Sequence, residues 1–331
     1  MRTDAAGSPP EPNAGAAALC RLGAIALLFA PGVVPAEIDL YGRLNVTLQN
    51  ADEPAGERIE LRSNASRIGV RGEQALGGGL TAIYRLEWEV DPDADAGDDH
   101  IKPRNQFVGL EGRFGTVKVG RHDTALKEAQ GDFDLFNDLE GDIRNVLNGE
   151  NRLRNYVAWT TPALAKALSV TVNFFPGEDA AAGNDGIADA TSAAIRYEGD
   201  ALYAALARDR DVDGAGVDTT RLVGGYAIGP AELMLLYQRT DAGALDEDGF
   251  GASFAWSFGD TTAKLQYLQS EVWRVLPAAD PLDNLLEDQL SLGLDRALGE
   301  RTKVFGFYTR GHVGGTNASE DYLAVGLQHA F

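Results

Sequence analysis

The residues of this chain that could do chemistry are its charged ones, and they are spaced for electrostatics. Between positions 122 and 151 fall Asp132, Asp134, Asp138, Glu140 and Asp142, while arginines stand among polar neighbours at Arg43, Arg67, Arg85, Arg104, Arg152 and Arg154. Two unit charges about 4 Å apart interact by about 4 kcal/mol at an effective dielectric near 20, and by about half that at twice the distance. Opposed carboxylates and guanidinium groups across a watery gap would bias ions by sign without trapping them. Asp209-Arg-Asp-Val-Asp-Gly214 begins like a calcium loop, but its twelfth position is Thr220 where a bidentate Glu is required. Asp91-Pro-Asp-Ala-Asp-Ala-Gly97 lacks the glycine at position six and carries Lys102 at position twelve. Both read as solvated loops with at most loosely associated Ca²⁺ or Mg²⁺, and no cofactor is expected. His100, His122, His312 and His329 lack metal-ligand spacing. With no Ser-His-Asp signature and no phosphate loop, an enzyme has nothing to rest on.

The elements that must position these charges have period two. Leu40, Gly42, Leu44, Val46 and Leu48 share one face of a strand, and Asp39, Tyr41, Arg43, Asn45, Thr47 and Gln49 the other. The alternation recurs in Tyr84, Leu86, Trp88, Val90; in Val170, Val172, Phe174; in Leu233, Leu235, Tyr237; in Leu265, Tyr267; in Leu290, Leu292, Leu294; and in Phe305, Phe307. Segments of about ten residues, apolar outside and polar inside, are the pattern of a transmembrane β-barrel. By this parity Arg43, Arg67, Arg85, Arg104, Arg152 and Arg154 point inward, as do Tyr41, Tyr156 and Tyr308. The parity slips once, where Ile59 and Leu61 are odd but Ile68 and Val70 even. A bulge near Ser63 to Ser66, or a strand rising beyond the membrane, would account for it.

Tight links at Leu76–Gly79, Gly112–Gly115, Thr161–Leu164, Gly199-Asp200, Gly229-Pro230, Gly259-Asp260 and Ala297–Glu300 take turns with longer acidic stretches near 50–56, 91–102, 122–151, 176–190, 210–218, 241–248, 275–286 and 313–319. Seven turns and eight loops join about sixteen strands, an even number large enough for a water-filled lumen. The expected fold is therefore an all-β, antiparallel transmembrane barrel over residues 37–331.

Both ends agree with that destination. Arg21 precedes the apolar run Leu22–Ala30, and Val34-Pro-Ala36 offers a signal-peptidase site, so residues 1–36 read as an export signal with an over-long start. The run is about half the roughly 20 residues a spanning helix needs. Cys20 precedes the run, with Leu19 where a lipoprotein signal wants a small residue, so lipidation is not expected. At the other end Leu323, Val325, Leu327, His329 and Phe331 share one face of a last strand that stops on an aromatic residue. The chain holds 29 Lys and Arg against 50 Asp and Glu, net −21, which argues against nucleic acid as a partner.

Four segments, in this order, resemble the general diffusion porins of Gram-negative bacteria, which are trimers of sixteen-stranded barrels. They are Asp39-Leu-Tyr-Gly-Arg43, Ser66-Arg-Ile-Gly-Val-Arg-Gly-Glu73, Phe107-Val-Gly-Leu-Glu-Gly-Arg-Phe-Gly-Thr116 and Val119-Gly-Arg-His-Asp123. His329 departs from the aromatic residue usual near the end of the last strand. The resemblance implies that the 122–151 loop folds into the barrel and turns its carboxylates toward Arg43, Arg67 and Arg104, with Arg152 or Arg154 completing the basic wall. It also implies a homotrimer in outer-membrane lipid and lipopolysaccharide, inserted by the barrel-assembly machinery through the strand ending in Phe331, and passing small hydrophilic solutes and ions. A substrate-selective channel, which would need a track of lumenal aromatic residues, and a plugged structural or adhesive barrel are the alternatives.

Overall fold

The computed structural model describes residues 37–94, 100–178, 186–274 and 286–331. The expected signal, 1–36, lies outside them, as does part of the Asp91–Gly97 stretch. The chain runs through β1 (Glu37–Glu53), β2 (Gly56–Ser63), β3 (Arg67–Gly77), β4 (Leu80–Val90), β5 (Ile101–Gly112) and β6 (Gly115–Asp123). A short helix α1 (Ala125–Glu128) then opens the long loop. There follow β7 (Arg152–Thr160), β8 (Leu168–Phe175), β9 (Ala190–Glu198), β10 (Leu202–Arg210), β11 (Asp218–Ile228) and β12 (Ala231–Asp241). The last five are β13 (Asp246–Phe258), β14 (Thr261–Ser270), β15 (Leu286–Ala297), β16 (Thr302–Val313) and β17 (Ser319–Ala330). From β3 onward each pairs antiparallel with the next, β2 and β3 both pair with β1, and β17 returns to β1 from Arg43↔Ala330 to Asp52↔Asp321. Because β2 and β3 lie on the same edge of β1, they make one stave, and the whole is a closed barrel of sixteen. Closure leaves the spanning backbone fully paired, which a lipid environment demands.

The seam is fastened by the last residue. Phe331 and Gly42 exchange two backbone hydrogen bonds of 3.0 Å. A Cβ at position 42 would overlap the Phe331 ring, so the glycine of the Asp39–Arg43 segment is what lets the terminal ring lie flat on the first strand.

Outward positions are apolar as expected: Leu40, Leu48, Leu323 and Leu327 are all exposed on the outer wall. The parity slip at 59–68 is a strand break. Asn64 and Ser66 turn inward onto β1, Ser66 Oγ accepting from Asn45 N at 3.0 Å, with Ala65 at φ 47° between them. The stretch near 50–56 is a tight hairpin rather than a loop, since strand continues to Glu53 and resumes at Gly56.

Two corrections concern the inner face. On β16 the aromatic pair Phe305 and Phe307 points into the barrel, where both are buried, so Tyr308 points outward and its hydroxyl donates to Asp321 on the outer face of β17. Along β9 to β12 the inner face is itself apolar: Ala194, Ala205, Ala207, Val223, Met234 and Leu236 are buried. The physical reason is the same in both places. The long loop lies against these walls, and apolar surface facing a loop is removed from water like any core.

Candidate functional site

The 122–151 loop starts where β6 ends. Thr124 caps α1 by accepting from Lys127 N at 3.2 Å, and a single 3-10 turn at Ile143–Asn145 is capped by Asp142, which accepts from Arg144 N at 2.9 Å. From this loop Phe133, Ile143, Val146 and Leu147 bury themselves against β9 to β14. Phe136 and Leu139 pack on Phe305, Phe307 and Ala324. Gly251 of β13 is a further close approach, since a side chain there would overlap the Phe133 ring.

Backbone groups buried with the loop need partners, and inward glutamines supply them. Gln266 accepts from Leu135 N at 2.8 Å and donates to Gly141 O at 2.9 Å; Gln289 donates to Glu140 O at 2.8 Å. Lys264 adds a bond to Leu135 O at 2.8 Å. At the loop's return, fully buried Arg221 pairs with Glu150 at 2.6 Å and donates to Asn148 O at 2.9 Å.

The five loop carboxylates have different jobs. Asp134 accepts from Phe136 N at 3.1 Å and Ile143 N at 3.3 Å, and Asp142 accepts from Asp138 N at 2.8 Å, so both hold the loop's own shape. Burial, reinforced by Asp142 and Glu150, pushes the Asp134 carboxyl well above the usual range, and burial also raises Asp142 despite Arg144. Glu140 accepts from Gln49 at 2.7 Å and pairs with Arg62 at 2.6 Å. Asp132 is exposed and joins none of these groups.

Asp138 is the residue that reaches the arginines of β1, β3 and β5. Held at φ 66°, it lies 2.5 Å from Arg43, 2.5 Å from Arg67 and 3.9 Å from Arg104. Burial raises its carboxyl, but Arg67, Arg104 and Arg43 override that and hold it below the ordinary value. Arg104 is also tied to Glu87 and Glu89, both at 3.0 Å. It enters the lumen through an irregularity: the β4–β5 register shifts between Leu86 and Trp88, and both Arg104 and Asn105 turn inward. The three arginines and the three carboxylates Asp138, Glu87 and Glu89 form a charge-balanced group.

The remaining arginines of the expected wall stand apart. Arg152 pairs with Asp123 at 3.0 Å and donates to Asn105 at 2.8 Å, at the root of the loop. Arg154 is 79% exposed and lies 3.9 Å from Glu178. The inward placement expected for it fails because Asn155 adopts φ 54° and the β6–β7 register shifts between Gly120 and His122, which breaks the parity counted along β7. Simple alternation could not show Glu87, Glu89 and Arg62 as partners, although Glu87 and Glu89 sit on the polar face of β4. No aromatic track forms: Tyr41 is pinned to Glu87 at 2.9 Å, Tyr156 is buried against His122 and Tyr308 faces out. Among the described residues no group of three or more His, Cys, Asp or Glu is arranged to hold a metal ion.

A closed antiparallel barrel, narrowed from within by one loop, is matched at the level of sequence by a profile described as Gram-negative porin, over residues 23–316. The chain belongs to the Gram-negative porin family. Major outer membrane protein P.IB of Neisseria meningitidis is 26% identical over 93% of this chain and 98% of its own length. Outer membrane porin protein 32 of Delftia acidovorans is 27% identical with the same two coverages. Among solved structures, the anion-selective porin from Comamonas acidovorans superposes with a TM-score of 0.70 at 22% identity, covering 89% of this porin and all of that chain. Salmonella typhi OmpF in complex with daunomycin gives 0.71 at 17% identity, over 89% and 97% of the two chains. The porin is thus an outer-membrane channel protein and not an enzyme, and neither a plugged nor a substrate-selective barrel is favoured.

Proposed function

We propose that this porin is a passive diffusion pore for small hydrophilic solutes and ions, whose narrowest section lies between the 122–151 loop and the wall carrying Arg43, Arg67 and Arg104. One observation carries the reading. Asp138, on a loop otherwise seated on β8 to β17 and held by Glu140 to β1 and β2, is bonded to arginines of β1 and β3, so the loop crosses the lumen and is tied down on the far side. A loop fixed at both ends sets a permanent cross-section and would not gate as a flap. The same reading takes one pore per subunit and three subunits; a related fold, OmpT of Vibrio cholerae, is described in a trimer form. It also takes outer-membrane lipid and lipopolysaccharide as surroundings, and entry through the barrel-assembly machinery by way of the strand ending in Phe331.

Single-channel conductance of the refolded protein without residues 1–36, in planar bilayers, tests it. Openings in groups of three with stable conductance are expected. Asp138→Asn frees the loop tip from Arg43 and Arg67 and should raise conductance and current noise together. A folded barrel that never opens would overturn the diffusion reading, and an unchanged Asp138→Asn channel would remove Asp138 from the narrowest section.

A further inference from the structure

Cations inside this barrel are paired as a rule. Arg43 and Arg67 end on Asp138, Arg104 on Glu87 and Glu89, Arg152 on Asp123, Arg221 on Glu150, and Lys264 and Lys303 on Asp295. On the strand wall Arg85 and Lys118 break the rule, as exposed Arg144 does on the loop. Among the described residues no carboxylate oxygen lies within 4.0 Å of Arg85 or Lys118, although the chain carries 50 acidic residues. Both reach for the same ring: the Arg85 guanidinium carbon lies 6.0 Å, and Lys118 Nζ 4.9 Å, from the centre of Phe107.

The strands explain the grouping. Arg85 faces Phe107 across β4 and β5, and Lys118 faces Gly109 across β6 and β5, so three adjacent staves aim these side chains at one place. Their outward neighbours Leu86, Val108 and Val119 are exposed on the apolar wall, which puts Arg85, Phe107 and Lys118 on the lumen side. Of the carboxylates around them, Glu87 holds Arg104 and Tyr41 and Asp123 holds Arg152, while Glu73, Glu111 and Glu128 lie beyond 4.0 Å of both cations. The neighbouring lumenal cations are engaged too, Arg71 with Asp39 at 2.7 Å and Arg196 with Glu198 at 3.7 Å. The buried Nε of Arg85 has no hydrogen-bond partner.

We propose that Arg85 and Lys118, braced on Phe107, form a lumenal waystation for small oxyanions and carboxylates that gives the pore anion preference against its own acidic net charge. The inference rests on the diffusion-pore reading above and names its solute class. A guanidinium presents a flat fork of donors that fits two oxygens of one anion, and an ammonium beside it adds a point charge. Two like charges on one ring repel, and an anion between them relieves the repulsion. Because both side chains are half-buried and neither is enclosed, the hold is weak enough for the anion to leave, which conduction requires.

The test is reversal potential in a KCl gradient, with inorganic phosphate as a competing anion, on the unmodified porin and on Arg85→Gln/Lys118→Gln. Chloride should permeate better than potassium in the unmodified channel, and the ratio should fall by about threefold or more in the double variant, as expected for two charges within roughly one Debye length of the ion path. Millimolar phosphate should reduce chloride current saturably in the unmodified channel, less so as KCl rises, and not in the double variant. Arg85→Lys/Lys118→Arg should keep both behaviours. An unchanged ratio in a conducting double variant, or equal reduction by phosphate in both channels, overturns the waystation while leaving the diffusion pore standing. Should the double variant fail to insert, the unmodified channel still decides, because current insensitive to phosphate at every KCl concentration also overturns it. An unmodified barrel that does not conduct brings down both readings.

Discussion

The two sides of the lumen are built on different principles. From β9 to β15 the inner face is mostly apolar or amide-bearing, its Arg221 and Lys264 paired, and the loop sits on it as a core element, with Phe133 and Leu147 buried and glutamines closing its backbone bonds. From β1 to β6 the inner face is charged, and the loop meets it through two carboxylates, Asp138 and Glu140. Fixing a loop and conducting ions make opposite demands. Burial of apolar area is non-directional and strong, whereas charges facing water interact weakly and can exchange partners with a passing ion. Dividing the two tasks between opposite walls lets each be met.

If the apolar wall carries the loop, its buried ion pair should matter most. Arg221→Met leaves Glu150 buried without its guanidinium and should destabilise the loop-seated barrel by about 3–5 kcal/mol in urea unfolding; adding Glu150→Gln should restore much of it. A loss below about 1 kcal/mol would mean that this wall is not the anchor. Next in size, Gly251→Val forces Phe133 out of place and should cost about 1–3 kcal/mol by the same measurement, with a raised, noisier conductance.

The response to pH separates the walls by sign. Glu150, like Asp134 and Asp142, has its carboxyl raised by burial, against Arg221 and Lys127 in its case. A raised acid binds protons in the folded state first, so as pH falls toward the ordinary carboxylate value the anchored side gains stability. Asp138 is held low, so its attachment is fully present above the ordinary aspartate value of about 3.9 and is lost only as pH falls below that toward the depressed value. Protection factors of the loop amides, corrected for the base-catalysed intrinsic rate, should therefore rise as pH falls toward about 4. Falling protection of the Phe133–Leu139 amides over the same change would reverse the assignment. Smallest of all, Arg154→Ala should leave conductance and selectivity within error, since its charge stands exposed beside Glu178.

Much of the scaffold was legible in sequence because its signals are local. The seven tight links fall where strands turn, and alternation alone placed the outward leucines of β1 and β17. It also placed Arg43 and Arg67 inward, since no irregularity intervenes between them and their apolar neighbours. Arg104 and Arg154 mark the limit: each sits beside a register shift, which turned one inward and left the other outside. Phe305 and Phe307 were misplaced for a non-local reason. An aromatic residue facing lipid and one facing a folded-in loop look alike until the loop's path is known. The doubly apolar runs Ala204-Ala-Leu-Ala207 and Leu233-Met-Leu-Leu236 did carry a signal, because a strand with no polar face has something covering both sides.

The clasp between Phe331 and Gly42 joins residues almost a full chain length apart. Loop-closure entropy grows only logarithmically with separation, so this contact is affordable at equilibrium, but contacts so distant in sequence form late. The strand that completes the barrel, β17, has to pair on both of its edges, with β16 and with β1. Until it arrives, the two bordering strands offer unpaired backbone to any passing sheet edge. Deletion of Phe331 should thus show its defect first as slow folding and misassembly, with the mature barrel's unfolding rate changed less.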